Sequence, residues 1–235
     1  MEDLFRGIRL TSSTYSQQAY QVLRQAILDG KLKPGQRLAA KHLTETFGIS
    51  RTPLREAFQL LEQEGLVRRL PNGIVEVEGL SLAEIEELYL IRGMLEGLAC
   101  RLASVRITTE QLAQMDKVTE QIAHFTAMGD ERAIERFGRE FHRIIHEASG
   151  ASRTIDLLHQ MQDHIHRYRP LSIAHPGRMQ EAFSEHEEIS KALVARDPDA
   201  AELAMRTHIM NGGKVVLAGL RTVLSPDGHQ GGETQ

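Results

Sequence analysis

Apolar residues between positions 54 and 61 recur with helical spacing and predict a short helix that buries one face. They occupy the i, i+3, i+4 and i+7 positions of an amphipathic α-helix: Leu54, Ala57, Phe58 and Leu61. Ser50 is a favourable N-cap, because its hydroxyl can accept a hydrogen bond from a first-turn N–H. Pro53 falls in the first turn, where a missing backbone donor costs little. The pattern therefore predicts a helix that begins at about Arg51.

The opposite face of this helix is basic. Arg51 and Arg55 are four residues apart and share a face, because four residues make about one helical turn. Both lie near the helix N-terminus, where the dipole already favours phosphate. One side of the helix is therefore suited to a protein core, and the other to a DNA groove.

A second short helix is predicted directly upstream. Residues 39–47 place Leu43 and Phe47 on one inward face, and Gly48-Ile49 makes a tight connection to the next helix. Two helices joined in this way are typical of a helix-turn-helix.

A hairpin is predicted directly downstream. Residues 65–70 and 74–77 flank the turn Pro71-Asn72-Gly73, and the second run alternates with β-branched residues. This arrangement predicts a β-hairpin wing beside the helices.

From Ser81 onward the sequence predicts successive amphipathic helices and no strands. Gly129-Asp130 separates two of them, and Pro198 opens the last. The predicted helices cover residues 82–104, 109–128, 130–148, 152–171, 178–195 and 198–224. The predicted fold class is therefore mainly α: an N-terminal winged helix-turn-helix with a small β-hairpin wing, followed by an all-α bundle of six or so helices. Residues 1–13 are expected to form a flexible arm, and the Gly-rich, polar residues 225–235 a disordered tail.

Length and charge agree with two domains, residues 14–79 and 80–224. Domains usually span about 100–150 residues, and this chain has 235. Residues 1–79 carry a net charge of +2 and the remainder −6, so the first domain is locally basic within an acidic chain. No apolar run reaches the roughly 18 residues of a membrane span, and the N-terminus lacks signal-peptide form. With a single cysteine, Cys100, the protein is expected to be cytoplasmic, with no membrane partner.

Three blocks of the first domain follow one another in a recognisable order. They are Ile-Leu-Asp-Gly-Lys-Leu-Lys-Pro-Gly at residues 27–35, Ser-Arg-Thr-Pro-Leu-Arg-Glu-Ala at 50–57 and Glu-Gly-Leu-Val at 64–67. From Tyr20 to Val77 the chain resembles the winged-helix DNA-binding domain of GntR-type transcription regulators. The resemblance implies a homodimer that presents paired winged helices to a pseudo-palindromic, double-stranded operator.

The recognition helix and the wing supply the residues expected to contact DNA. The expected set is Lys41, Ser50, Arg51, Thr52, Arg55, Asn72 and Gly73. The two arginines of the helix would reach guanine edges or adjacent phosphates, and its hydroxyl residues the DNA backbone. The wing turn lacks a basic residue, so its minor-groove contact would rest on backbone and on Arg68 or Arg69.

Three histidines fall on three predicted helices of the second domain: His142, His186 and His208. A helical bundle can bring such residues together around an internal pocket. Three imidazoles can hold a divalent ion such as Zn²⁺ or Ni²⁺. From spacing alone, a surface histidine or a hydrogen-bonded core histidine is the commoner case, so both interpretations stay open.

The blocks around these histidines carry a second resemblance. Residues 89–96 read Tyr-Leu-Ile-Arg-Gly-Met-Leu-Glu, and residues 141–150 read Phe-His-Arg-Ile-Ile-His-Glu-Ala-Ser-Gly. With the stretch 186–208, they resemble the all-helical FCD-type effector-binding domain of the FadR subgroup, over about residues 82–217. Many members bind a metal through three histidines and an aspartate four residues before the first. The resemblance assigns the histidine ligands to His142, His186 and His208.

The expected aspartate is absent, because Gly138 stands four residues before His142. Water, an effector carboxylate or another side chain would have to complete the shell, and His146, one turn beyond His142, is one option. The predicted cofactor is one divalent metal such as zinc or nickel, with a metal-free pocket as the alternative.

Arg92 is a further candidate for the effector pocket. By resemblance, the arginine of the Arg-x-x-Leu-Glu block points into the cavity and can pair with a carboxylate. The alternative is an i, i+4 ion pair with Glu96 on a solvated face. The expected effector-binding set is Arg92, His142, His186 and His208.

Together these features predict a transcription regulator, by default a repressor, whose operator affinity is controlled by a small organic-acid effector in the helical domain. Coupling of roughly 1–3 kcal/mol between the two sites would suffice. One alternative is a metal-responsive regulator, in which the ion itself is the effector. Another is a metal-dependent hydrolase, since an open three-histidine site can activate water. No convincing general base accompanies the histidines, so the protein is not expected to be an enzyme.

Overall fold

The computed structural model describes residues 15–166, 168, 172 and 175–224. Within these residues the elements are α1 Tyr15–Leu28, β1 Arg37–Leu38, α2 Ala40–Phe47, α3 Arg51–Gln63, β2 Val67–Arg69, β3 Val75–Val77, α4 Leu82–Arg106, α5 Thr109–Met128, α6 Glu131–Ser149, α7 Ser152–His166, α8 Arg178–Val194 and α9 Pro198–Leu224. The predicted fold class is confirmed. The chain divides into two compact units between Ser81 and Leu82. The predicted arm at 1–13, the predicted tail at 225–235 and the predicted end of the helix at 171 lie outside the described residues.

The N-terminal unit packs three helices and a small sheet around one apolar core. The residues that α3 contributes are those that its periodicity predicted: Leu54, Ala57, Phe58 and Leu61. From α2, Leu43 and Phe47 are buried in the same core. Burying one large apolar side chain contributes roughly 1.5–3 kcal/mol, so these residues hold α3 with its polar face outward.

The connection between α2 and α3 is made by a glycine in a left-handed conformation. Gly48 has φ 67°, which glycine adopts without a steric penalty. At the next helix, Ser50 has the extended backbone of an N-cap, but its side chain makes no capping hydrogen bond. The predicted hydroxyl cap is therefore wrong. Because Ser50 is exposed, water can satisfy the first-turn N–H groups instead.

The wing belongs to a three-stranded antiparallel sheet in the order β1-β3-β2. The predicted hairpin is present, since β2 pairs with β3 and the N–H of Gly73 closes the turn on the carbonyl of Leu70 at 2.8 Å. The third strand was not predicted. Its two residues are too few to show a periodicity, and Arg37 joins the sheet by pairing with the distant Glu76.

The C-terminal unit is a helical bundle in which α4 packs extensively along α9. Glycines allow this close approach. A Cβ atom at Gly97 would lie 2.6 Å from Cγ of Arg206, and one at Gly213 would lie 2.7 Å from Cγ of Tyr89. Small residues at these crossings therefore set the spacing of the two helices.

Gly213→Ala is expected to destabilise the helical unit by about 1–3 kcal/mol, the usual cost of overpacking. The new Cβ would fall within 2.9 Å of three atoms of Tyr89, whose ring is buried. Gly212→Ala is a matched control, because its Cβ would meet only the Arg178 guanidinium, at 3.9 Å. Alanine favours a helix over glycine by up to about 1 kcal/mol. In thermal unfolding, the Tm of Gly213→Ala should be lower than that of Gly212→Ala. Equal Tm values for the two variants would contradict the close approach of the helices.

Two further observations concern membrane insertion and the cysteine. Among the described residues, no helix is both long enough and apolar enough to cross a bilayer. Cys100 is buried, and burial raises the pKa of its thiol to about 12. Such a thiol stays protonated and is a packing residue rather than a nucleophile.

Candidate nucleic-acid interface and ligand site

The outer face of α3 is exposed and positively charged. Arg51, Thr52 and Arg55 are exposed, whereas Leu54 and Phe58 on the other face are buried. Neither arginine forms an ion pair with a described residue. Their guanidinium groups are therefore available to an external anion such as phosphate.

The other residues expected to contact DNA are exposed as well. Lys41 lies in the first turn of α2, and Ser50 precedes α3. At the wing tip, the side-chain oxygen of Asn72 accepts a hydrogen bond from the N–H of Ile74 at 3.1 Å, and Gly73 has φ 80°. The tip thus offers an amide group and backbone, but no charge of its own.

The two wing arginines differ in their surroundings. Nη2 of Arg68 lies 2.8 Å from Oε1 of Glu76, and its Nε lies 3.6 Å from Oε2 of Glu78. The charge of Arg68 is therefore balanced by neighbouring strand residues. Arg69 reaches Glu62 only at 3.8 Å, and it lines the space between α3 and the sheet. Of the two guanidinium groups, that of Arg69 is therefore the more available to an external anion.

A cleft of about 640 Å³ lies between α3 and the sheet, and we call it the α3–wing cleft. Its floor is apolar, and four arginines line it: Arg37, Arg51, Arg55 and Arg69. Asn72 and Gly73 also line the cleft, whereas Lys41 and the two hydroxyl residues of the expected set are not among its lining residues. The sequence did not predict Arg37 as a residue of this surface, because Arg37 lies on the unpredicted strand β1.

The three predicted histidines converge in the helical unit, His142 from α6, His186 from α8 and His208 from α9. Their ring centroids are 4.6 Å apart for His186 and His208, 5.4 Å for His142 and His208, and 6.1 Å for His142 and His186. One nitrogen of each ring lies within 4.8 Å of the other two. Ligand nitrogens in a tetrahedral zinc site are about 3.3 Å apart, given Zn–N distances of about 2.0–2.1 Å. The donors present therefore fit a divalent ion after small side-chain movements.

A carboxylate reaches His142 from α4. Gly138 is buried on α6 and offers no ligand atom, but Oε2 of Glu96 lies 3.2 Å from Nδ1 of His142 and 2.9 Å from Nε2 of His146. Glu96 is only 2% exposed. Together, Glu96, His142 and His146 form a second group whose ligand atoms are close enough to hold an ion. His146 is therefore a neighbour of the three-histidine site, and Glu96 links it to His142.

A second carboxylate reaches His208 in the same way. Oε2 of Glu185 lies 2.7 Å from Nδ1 of His208, and Glu185 also accepts hydrogen bonds from Arg178, at 3.0 and 2.7 Å, and from Asn211, at 2.8 Å. An ionised carboxylate can only accept, so the contacting nitrogen must carry the proton: Nδ1 in His142 and His208, and Nε2 in His146. In His142 and His208, Nε2 is then the nitrogen that an ion could use.

Burial favours the neutral imidazole of His142 and of His208, while the two carboxylates stay ionised. Burial lowers the pKa of His142 to about 4, and it also lowers the pKa of His208. Burial alone would raise the pKa of Glu96, but His142, His146 and Arg92 outweigh it and hold that pKa well below its ordinary value. Neutral imidazoles beside ionised carboxylates suit a cation better than an anion.

Arg92 pairs with Glu96, as the alternative interpretation predicted. Its Nε and Nη2 donate to Oε1 of Glu96 at 3.3 and 3.2 Å. The pair does not lie on a solvated face, however, because Glu96 is buried against His142 and His146. Arg92 therefore borders the histidine site, and its contact with an effector stays a prediction.

Two protein-family models match the chain. "Bacterial regulatory proteins, gntR family" matches residues 15–77, and "FCD domain" matches residues 87–211. Over 195 residues the chain is 30% identical to the uncharacterized HTH-type transcriptional regulator YdhC of Bacillus subtilis (strain 168), covering 83% of this chain and 87% of the relative. Over 198 residues it is 30% identical to the HTH-type transcriptional repressor RspR of Escherichia coli (strain K12), covering 83% and 85%.

Solved structures are similar too. The structure of E. coli McbR/YncC has a TM-score of 0.67 and 25% identity, covering 89% of this chain and 99% of that chain. These relatives are regulators of transcription, so the hydrolase alternative is set aside and the protein is not an enzyme. The chain belongs to the gntR family of bacterial regulatory proteins, as a DNA-binding transcription regulator with an FCD-type ligand-binding domain.

Proposed function

We propose that this regulator is a cytoplasmic homodimer that places two copies of α3 on a pseudo-palindromic operator. Arg51 and Arg55 would contact guanine edges or adjacent phosphates, and Ser50 and Thr52 would contact the DNA backbone. The two-fold symmetry of the protein would match that of the DNA. The observation that supports this proposal is the exposed pair of arginines on α3, which form no ion pair with a described residue and lie opposite a buried apolar face.

Lys41 and the wing would add contacts beside the recognition helix. The ammonium of Lys41 would bind a phosphate, which carries no sequence information. Asn72 and Gly73 at the wing tip would approach the minor groove, where an amide and a backbone without a side chain can come close to the base edges. Their exposure supports this assignment.

An apolar stripe on α4 suits a second copy of this chain. It consists of four residues that are 41–63% exposed: Ile91, Met94, Leu98 and Val105. Steps of three, four and seven residues are the spacing of helices that pack along one another. Pairing of two α4 helices would remove this surface from water. Sedimentation equilibrium at micromolar concentration tests the dimer, and a monomeric mass would contradict it.

For the helical unit we propose a small organic acid as effector, with release of the operator as the default response, which makes the protein a repressor. His142, His186 and His208 would hold one divalent ion such as zinc or nickel, which would supply the positive charge that an organic acid needs. Burial lowers the pKa of His142 and of His208 and so favours their neutral form, whereas the lowered pKa values of Glu96 and Glu185 favour ionised carboxylates beside them. An organic acid placed there without a bound metal ion would meet the negative charge of these two carboxylates.

A metal-responsive regulator is the second candidate, since the same three histidines could make the ion itself the effector. Fluorescence anisotropy of a labelled operator distinguishes the two. A Kd that changes with Zn²⁺ or Ni²⁺ alone identifies a metal sensor, whereas a change that also requires an organic acid identifies an acid sensor. If neither the ion alone nor the ion with an organic acid changes the Kd, the effector proposal fails and the DNA-binding proposal stands.

Arg92→Ala is expected to raise the effector concentration for half-maximal operator release by about tenfold or more, because hydrogen bonds to charged groups contribute about 1.5–3 kcal/mol. The change removes both hydrogen bonds to Oε1 of Glu96 and leaves a buried carboxylate poorly compensated. Operator affinity without effector should not change. Arg139→Ala is the matched control, since it removes an i, i+4 pair with Glu135 at an exposed position of α6. Equal midpoints for the two variants would show that Arg92 does not contribute to effector binding.

A further inference from the structure

We propose that Glu96, His142 and His146 form a second position for a divalent ion, which alternates with the three-histidine site because both positions use His142. The inference rests on the proposed function in taking a divalent ion as the ligand. It adds two ligands from outside the three-histidine site, a carboxylate from α4 and an imidazole from α6. The carboxylate supplies the anionic ligand that Gly138 cannot.

The types of ligand and their placement are the first argument. His142 and His146 are four residues apart on α6, so both rings project from one face of that helix. Glu96 reaches them from α4, which packs against α6. Two histidines one helical turn apart and a glutamate from another element are a ligand set that zinc uses in proteins. In such sets the fourth position is left to water or to an oxygen of a small molecule.

The distances are the second argument. Oε2 of Glu96 lies 3.2 Å from Nδ1 of His142 and 2.9 Å from Nε2 of His146. Ligand atoms about 2.0–2.1 Å from a tetrahedral zinc ion lie about 3.3 Å from one another, and both carboxylate distances are close to that value. All three ligand atoms lie within 4.8 Å of one another. Small rotations of the two rings would therefore complete the position.

The carboxylate of Glu96 is already oriented for this role. Nε and Nη2 of Arg92 both donate to its Oε1, whereas its Oε2 faces the rings of His142 and His146. The carboxylate is buried, and the two rings are 12% and 19% exposed. An ion can therefore reach the rings from solvent and meet a carboxylate that little water solvates. Buried charges in proteins are usually paired or coordinate metals.

His142 cannot serve both positions at once. A neutral imidazole has a lone pair on only one of its two nitrogens. His142 ligates an ion beside Glu96 through Nδ1, with its proton on Nε2, or an ion in the three-histidine site through Nε2, with its proton on Nδ1. One chain therefore holds one ion at a time, in either of two positions.

The test removes the three-histidine site and keeps the second position. The full-length variant His186→Ala/His208→Ala is stripped with a chelator and dialysed to equilibrium against micromolar free Zn²⁺, and elemental analysis gives the zinc bound per chain. We expect close to one zinc ion per chain. Addition of His146→Ala to this variant should abolish the binding, because only two protein ligands remain. Addition of His124→Ala is the matched control, since it removes an exposed histidine of α5 and should leave the zinc content unchanged.

Circular dichroism shows whether each variant is folded, and His186→Gln/His208→Gln replaces the alanine pair if that pair does not fold. A folded double variant without zinc, beside a wild type that holds one ion, would overturn the inference and leave the three-histidine site in place. Zinc that persists after His146→Ala is added would also overturn it. If both the wild type and the double variant lack zinc, the proposed ion and this inference fail together.

Discussion

Replacement of Arg51 or Arg55 by alanine is expected to lower operator affinity by about 5- to 150-fold, because a good base contact contributes about 1–3 kcal/mol. Both side chains project from the exposed face of α3 and form no ion pair with a described residue. The change therefore removes an external contact and little internal stability. An operator selected by the wild-type protein from a random duplex library provides the probe, and anisotropy gives the Kd.

The same variants should lose less affinity for random DNA than for the selected operator, because a base contact carries sequence information and a phosphate contact does not. Circular dichroism and Tm should match the wild type. Lys31→Ala supplies the charge-matched comparison within the same unit. If both arginine variants bind the operator as tightly as Lys31→Ala does, α3 is not the recognition helix.

Untagged protein purified without chelator is expected to contain close to one divalent ion per chain, and the double variant His142→Ala/His186→Ala should contain none. The physical reason is the convergence of three imidazoles, with ligand nitrogens within 4.8 Å of one another. Removal of two of three protein ligands leaves too few donors for a stable site. Elemental analysis measures the ion directly, and Tm shows whether the double variant is folded.

Two controls make this result specific. The double variant His124→Ala/His159→Ala removes two exposed histidines of the same unit and should keep the ion. Glu185→Gln keeps the shape of the side chain that contacts Nδ1 of His208 and should weaken ion affinity about 10- to 100-fold, as is usual for the partner of a ligand histidine. Wild-type protein that stays free of metal even in excess Zn²⁺ or Ni²⁺ would overturn the ion site. The effector search should then proceed without added metal.

Much of the fold could be predicted because its patterns are local. The buried positions of α3, the glycine turn before it and the wing turn at residues 71–73 are each encoded within a few residues. Helical periodicity joins residues three, four and seven apart, so it is visible in one sequence. The capping hydrogen bond predicted for the Ser50 hydroxyl is absent. Serine is favoured at N-cap positions, but its side-chain hydrogen bond need not form where water can bond the first-turn N–H groups instead.

The sequence by itself determined the winged helix-turn-helix, the helical second unit, the family resemblance and the choice of three histidines. Only the tertiary structure decided what surrounds them. It brought Glu96 to His142 across 46 positions and Glu185 to His208 across 23, and it paired Arg37 with Glu76 to make the third strand. Such contacts depend on how distant elements pack, which no local periodicity encodes. The interior pairing of Arg92 and the four-arginine cleft were therefore visible only once the helices and strands were placed together.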